Sequence, residues 1–294
     1  MSYAKRLEKA AERVIPALSK IGVDKKYLQF DGESQEPERI YVPSQSDSKF
    51  QAEQSLGDWA EDSLFNAINR YSNEFKAVHY GFNSKLFAED DGFKEEYSNG
   101  IIDTHKNGKR ADLLLFERNI DVPDDLTGYA TLDATNFVKL CRGALEVRSS
   151  RLDTRRYIEY QAERLKGGFK PASLEPNFTV KIEYLIKVYL WIHINNKPQA
   201  YVQVFFDEIW GIGFLEIMEF IGSQEKLRVE KHKRSSKTTI MIPISNGFKL
   251  GIVDKEPTFE VVHNLTKNGR HDIFAKPSGG SIAINPEAIV GLLK

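Results

Sequence analysis

Asp112, Glu146 and Arg148 are the residues whose types and spacing could do chemistry in this chain. Glu146 and Arg148 lie in Gly143-Ala144-Leu145-Glu146-Val147-Arg148-Ser149-Ser150, and Asp112 heads the apolar run Leu113-Leu114-Leu115-Phe116. Side chains on a strand alternate between faces, so Glu146, Arg148 and Ser150 project to one side and Leu145, Val147 and Ser149 to the other. With Asp112 on a neighbouring strand, two carboxylates could share a divalent cation. Hard cations such as Mg²⁺ favour oxygen ligands and leave room for water and phosphate oxygens. The same row also suits a solvated or ion-paired strand face.

The elements that would position these residues follow from periodicity. Residues 1–22 carry Leu7, Ala10, Ala11, Val14, Ile15 and Leu18 at helical spacing, with Pro16 predicting a kink or restart. Residues 32–48 read as a surface loop. A second helix over about 51–71 places Ala52, Leu56, Trp59, Ala60, Ser63, Leu64, Ala67 and Ile68 along one stripe. Glu61 falls at that stripe's edge beside Gly57, whereas Asp58 and Asp62 take the outer face. An edge glutamate is either a site acid or a surface residue.

Residues 78–97 are irregular, aromatic and acidic, and the turn Asn107-Gly108 leads into Lys109-Arg110-Ala111 and the Asp112 strand. That strand and the Glu146 strand, joined by a long polar connection, make a plausible antiparallel pair. Residues 151–166 and 184–194 are compatible with helices, the first ended by Gly167-Gly168. Residues 201–207 form a strand rich in aromatic and β-branched types, and 214–221 a short helix. Strands are expected near Thr239, Lys249, Phe259 and Ile282.

The result is an α/β fold, a mixed central β-sheet flanked by helices with a β-rich C-terminal extension. We divide it into an N-terminal helical segment and loop (1–50), a core (51–225) and a basic, β-rich region (226–294) packed on that core. At 294 residues, 41% hydrophobic and 28% charged, the chain can bury a sizeable core. The single cysteine, Cys141, excludes an intrachain disulfide and a cysteine-rich zinc module, which suits a reducing cytoplasm. No run approaches the roughly 20 apolar residues that span a bilayer, so no membrane partner is expected. The net charge of −1 makes any polyanion site a local patch.

Asp112 followed by Glu146-Val147-Arg148 resembles the PD-(D/E)XK motif of type II restriction endonucleases. Leu56-Gly57-Asp58-Trp59-Ala60-Glu61 is similar to the helix that often supplies a further acid there, and residues 178–183 and 201–207 are similar to segments of one group of these enzymes. The resemblance covers roughly residues 50–220. It implies a restriction-endonuclease-like fold and Mg²⁺-dependent, sequence-specific double-strand cleavage of DNA, in a prokaryotic cytoplasm. It also implies a homodimer functionally paired with a DNA methyltransferase. Asp112 and Glu146 would hold the metal, with Glu61 completing its shell directly or through water. Residue 111 is Ala where the pattern has Pro, and residue 148 is Arg where it has Lys.

That arginine bears on mechanism. A guanidinium can orient water or donate to a phosphate oxygen, but it stays protonated and cannot take a proton. Arg148 is therefore assigned an electrostatic role, with Lys181 as another source of the missing amine and Gln203 as a residue that could line the site. The densest positive run, 226–237, contains Lys231, Lys233, Arg234 and Lys237; with Arg151, Arg155 and Arg156 it could neutralise DNA phosphates. Other readings keep the same residues in different roles: a DNA-binding protein without catalysis, or a repair or nicking nuclease. His263-Asn264 with Asn268 and His271 is similar to an HNH nuclease only faintly, since no following helix supplies another histidine.

Overall fold

The computed structural model describes residues 3–37, 40–43, 47–82, 91–171, 173–231, 238–265 and 269–294. Along the chain run α1 (Tyr3–Lys20), α2 (Ser48–Tyr71), β1 (Phe75–His79), α3 (Phe93–Asn107), β2 (Leu113–Glu117), α4 (Thr131–Val138) and β3 (Gly143–Ser149). Next come α5 (Thr154–Lys166), β4 (Asn177–Lys181), α6 (Ile182–Asn195), β5 (Gln199–Val204), β6 (Glu208–Gly213) and α7 (Phe214–Ser223). The remainder is β7 (Val229–Lys231), β8 (Thr238–Pro243), β9 (Phe248–Lys255), β10 (Thr258–Leu265), β11 (His271–Ser278), β12 (Ser281–Ile284) and α8 (Pro286–Gly291).

Seven strands form the central sheet in the order β1-β2-β3-β5-β6-β9-β12. β1, β2 and β3 are antiparallel neighbours, whereas β3 and β5 are parallel, which makes the sheet mixed. The α/β class with helices on both sides and additional C-terminal strands is thus as expected. Two C-terminal strands, β9 and β12, extend the central sheet itself. β4, β8 and β7 make a second, small sheet, and β10 and β11 a two-stranded ribbon.

Strand alternation divides the core into two layers. Leu114, Phe116, Ala144 and Tyr201 face one layer with residues of α1, α6 and α7. Leu113, Leu115, Leu145, Ala200 and Val202 face the other with α2 and α8. Glu146, two residues from Ala144, therefore lies on the face covered by α6.

Helix α1 continues through Pro16, close to its C-terminal end. The segment expected to be irregular contains the end of β1 and the start of α3, and the polar connection between β2 and β3 contains α4. Helices α3 and α4 start at Gly92 and Ala130 without a side-chain cap, so the usual Ser, Thr, Asp or Asn signal is missing at both.

Helix α5 follows β3 and is anchored by Asp207, in the turn between β5 and β6. The Asp207 carboxylate accepts the backbone N–H of Thr154 (2.8 Å), the Thr154 hydroxyl (2.6 Å) and the backbone N–H of Arg155 (3.3 Å). Against its burial, these bonds hold the Asp207 carboxyl below its ordinary range.

Candidate functional site

Asp112 and Glu146 meet at one end of the paired strands β2 and β3. The Asp112 carbonyl accepts the N–H groups of Tyr80 (2.8 Å) and Gly81 (3.1 Å), which fixes the backbone before β2. Its carboxylate reaches across, and Oδ2 accepts the Val147 N–H at 2.6 Å. Glu146 is 2% exposed and carries two cations: Arg148 at 2.8 Å from Oε1, and the Lys109 ammonium on Oε2. A buried carboxylate needs such partners, because desolvation otherwise disfavours its charge.

The two acids are driven apart electrostatically. Burial would raise both. Lys109 and Arg148 outweigh it at Glu146 and hold that carboxyl low. At Asp112, burial and then the Glu146 charge push the carboxyl well above its ordinary range. One acid is charged and its neighbour resists charging, a condition that a shared divalent cation would relieve.

Lys109 was not singled out from sequence. It sits three residues before Asp112, and the turn that aims it depends on Gly108, whose φ is +81°. A Cβ on Gly108 would stand 2.3 Å from the Trp191 backbone N and 2.7 Å from the Lys187 carbonyl O of α6. The Lys109 N–H donates to that same Lys187 carbonyl at 2.9 Å. Gly108→Ala is therefore expected to destabilise the protein by about 3 kcal/mol or more, from left-handed strain plus overpacking, as read from urea unfolding. Arg110 turns the other way and donates to the carbonyls of Tyr129 and Leu126, a buried structural role.

Tyr201 was also missed. It is the register partner of Glu146 on β5, as Gln203 is of Arg148. Its hydroxyl and the Arg148 Nε are buried without a hydrogen-bond partner. Alternation from Gln203 would have put Tyr201 on this face, but an aromatic residue in an apolar strand reads as core. The Gln203 amide donates to the Arg148 carbonyl at 3.3 Å and so steadies that strand.

The other sequence candidates take varied places. Glu61 projects from α2 to His79 of β1, with Oε1 2.8 Å from Nδ1, and that bond raises the His79 pKa against its burial. The Glu61 charge is also among those that raise Asp112. Lys181 acts on Glu146 through space, while Lys109 makes the bond. Arg155 and Arg156 are exposed at the start of α5, within 4 Å of Asp207 and Asp153 respectively, and Arg151 is exposed just before it. Lys231 reaches the Ile21 carbonyl at 3.3 Å. Lys233, Arg234 and Lys237 lie outside the described residues. His263 and His271 stack on each other on the exposed β10-β11 ribbon, with Asn268 outside the described residues.

Among the described residues, no group of three or more His, Cys, Asp or Glu side chains could hold a metal ion. Two carboxylates nevertheless suit Mg²⁺, which is commonly held by one or two of them together with water and substrate phosphate. Also among the described residues, no helix is long and apolar enough to cross a membrane.

The fold is a mixed sheet flanked by helices, with a charged row where β2, β3 and β5 come together. The family model described as AccI restriction endonuclease matches residues 13–176 and 170–294, and the chain belongs to that family. The match extends past residues 50–220, on which the sequence resemblance rested, to include the C-terminal part of α1 and the whole C-terminal part of the chain. No curated protein and no solved structure matches the chain.

Proposed function

We propose that the protein is a type II restriction endonuclease that cuts both strands of DNA at a specific sequence by Mg²⁺-dependent phosphodiester hydrolysis. The observation that carries this reading is the pairing of half-buried Asp112 with buried Glu146, with Lys109 and Arg148 both on Glu146, in a chain of a restriction endonuclease family. Asp112 and Glu146 would hold the metal, and Glu61, steadied by His79, stands where it can add negative charge. When bound, Mg²⁺ supplies Lewis acidity towards a phosphate oxygen and eases the ionisation of water.

The remaining roles belong to the chain. Arg148 uses one nitrogen to hold Glu146 and stabilises a phosphate oxygen with the charge of its guanidinium as negative charge builds there. Lys109, and not Arg148 or Lys181, takes the place of the motif lysine, in this variant of the PD-(D/E)XK pattern, since its amine is the one bonded to the metal-holding acid. In the reaction the oxygen of water bonds to phosphorus, one P–O ester bond breaks, and the departing oxygen leaves with a proton. Arg151, in the loop after the catalytic strand, and Arg155 and Arg156, at the start of α5, meet backbone phosphates, with basic residues of the 226–237 run adding contacts. The acting unit is a homodimer, with one such centre for each strand of a two-fold symmetric duplex site. A companion methyltransferase would protect the host's own sites.

The test is incubation of long unmethylated DNA with the protein in Mg²⁺ or in EDTA, beside Asp112→Asn. Discrete fragments that need both Mg²⁺ and Asp112 are expected. DNA that is shifted on a gel but intact in Mg²⁺ would replace this reading with metal-independent binding.

A further inference from the structure

Helix α6 is buried along most of its surface, through Ile182, Leu185, Ile186, Val188, Tyr189, Leu190, Trp191 and Ile192. Its partly exposed stripe begins one residue before the helix, with Lys181, Tyr184 and Lys187 at a spacing of three. Residues so spaced are neighbours on a helix surface. Three ammonium groups surround the Tyr184 ring: Lys109 and Lys181 at 5.6 Å from its centre, and Lys187 at 5.9 Å. An aromatic face attracts each of these cations and holds them near one another.

The cluster adjoins the candidate site. Lys109 belongs to both, and Lys181 lowers the pKa of Glu146 through space. Lys187 also reaches Nε2 of His105 at 2.9 Å, and burial followed by the Lys187 charge holds that imidazole below its ordinary range, on the neutral side. On the same flank, the Tyr201 hydroxyl and Arg148 Nε are buried donors without partners. Three ammonium groups gathered around one partly exposed ring make a surface for an anion with several oxygens.

We propose that Lys181, Tyr184 and Lys187, together with Lys109, form a phosphate-binding site that grips the DNA backbone next to the scissile phosphate. This rests on the nuclease reading for its ligand. Lys181 and Lys187 meet the phosphate oxygens, and Tyr184 is a positioning residue whose ring holds the ammonium groups near one another.

The experiment is binding of a labelled duplex in EDTA across a series of salt concentrations, with Lys181→Gln, Lys187→Gln, Tyr184→Leu and Tyr184→Phe beside the wild type. The slope of log affinity against log salt is expected to fall by about 0.9 for each lost contact, in both glutamine variants. Tyr184→Leu is expected to lose at least one contact, and Tyr184→Phe to keep the wild-type slope because it keeps the ring. Unchanged slopes in both glutamine variants would overturn the proposal, as would a wild type that binds no duplex. Cleavage in Mg²⁺ is followed separately. Cleavage with unchanged slopes removes the phosphate site and keeps the nuclease; reduced slopes without wild-type cleavage keep the site and remove the nuclease.

Discussion

Glu146→Gln is expected to lower DNA cleavage by about 10³-fold or more while the duplex stays bound. The loss corresponds to several kcal/mol of charge stabilisation at the reacting phosphate. Glutamine keeps the shape of the side chain but removes the anion on which Lys109 and Arg148 converge. Its amide NH₂ would also face one of these two donors, so one hydrogen bond is lost in a buried place. Binding in EDTA is expected to move the opposite way. With the Glu146 charge gone, the cations face DNA phosphates against less negative charge, and metal-free affinity rises. Single-turnover cleavage in Mg²⁺ and gel-shift titration in EDTA read the two effects separately. A variant that cleaves normally would remove Glu146 from the mechanism.

Lys109→Met is expected to slow the chemical step by about 10²-fold, the usual cost of removing one donor from the charge-stabilising machinery. Methionine retains most of the apolar stem, so the change isolates the ammonium group. Stability should fall by about 2 kcal/mol, because Glu146 loses one of its two charged partners while Arg148 remains. The comparison that matters is Lys181→Met. Its ammonium acts on Glu146 only through space, so at saturating DNA its chemical step should stay within severalfold of wild type, with its deficit confined to binding. A larger rate loss in Lys181→Met than in Lys109→Met would return the lysine role to Lys181. Single-turnover rates at saturating DNA, with urea unfolding as control, make the distinction.

Local pattern determined a definite part of this. A strand's period of two put Glu146 and Arg148 on one face of an apolar segment, and the run after Asp112 demanded a buried strand. The helical stripe of α2 was legible for the same reason, with Glu61 at its edge. Helices α3 and α4 were not, because neither is introduced by a capping side chain and α4 has only eight residues.

Tertiary structure alone decided which lysine meets Glu146. Lys109, Arg148 and Lys181 are all near in charge, but only the close approach of the Gly108 turn to α6 delivers Lys109 to the carboxylate. The parallel pairing of β3 with β5 placed Tyr201 beside Glu146, and pairing of β6 with β9 carried C-terminal strands into the central sheet. Register and strand order depend on contacts between residues far apart in sequence, which alternation and propensity do not encode.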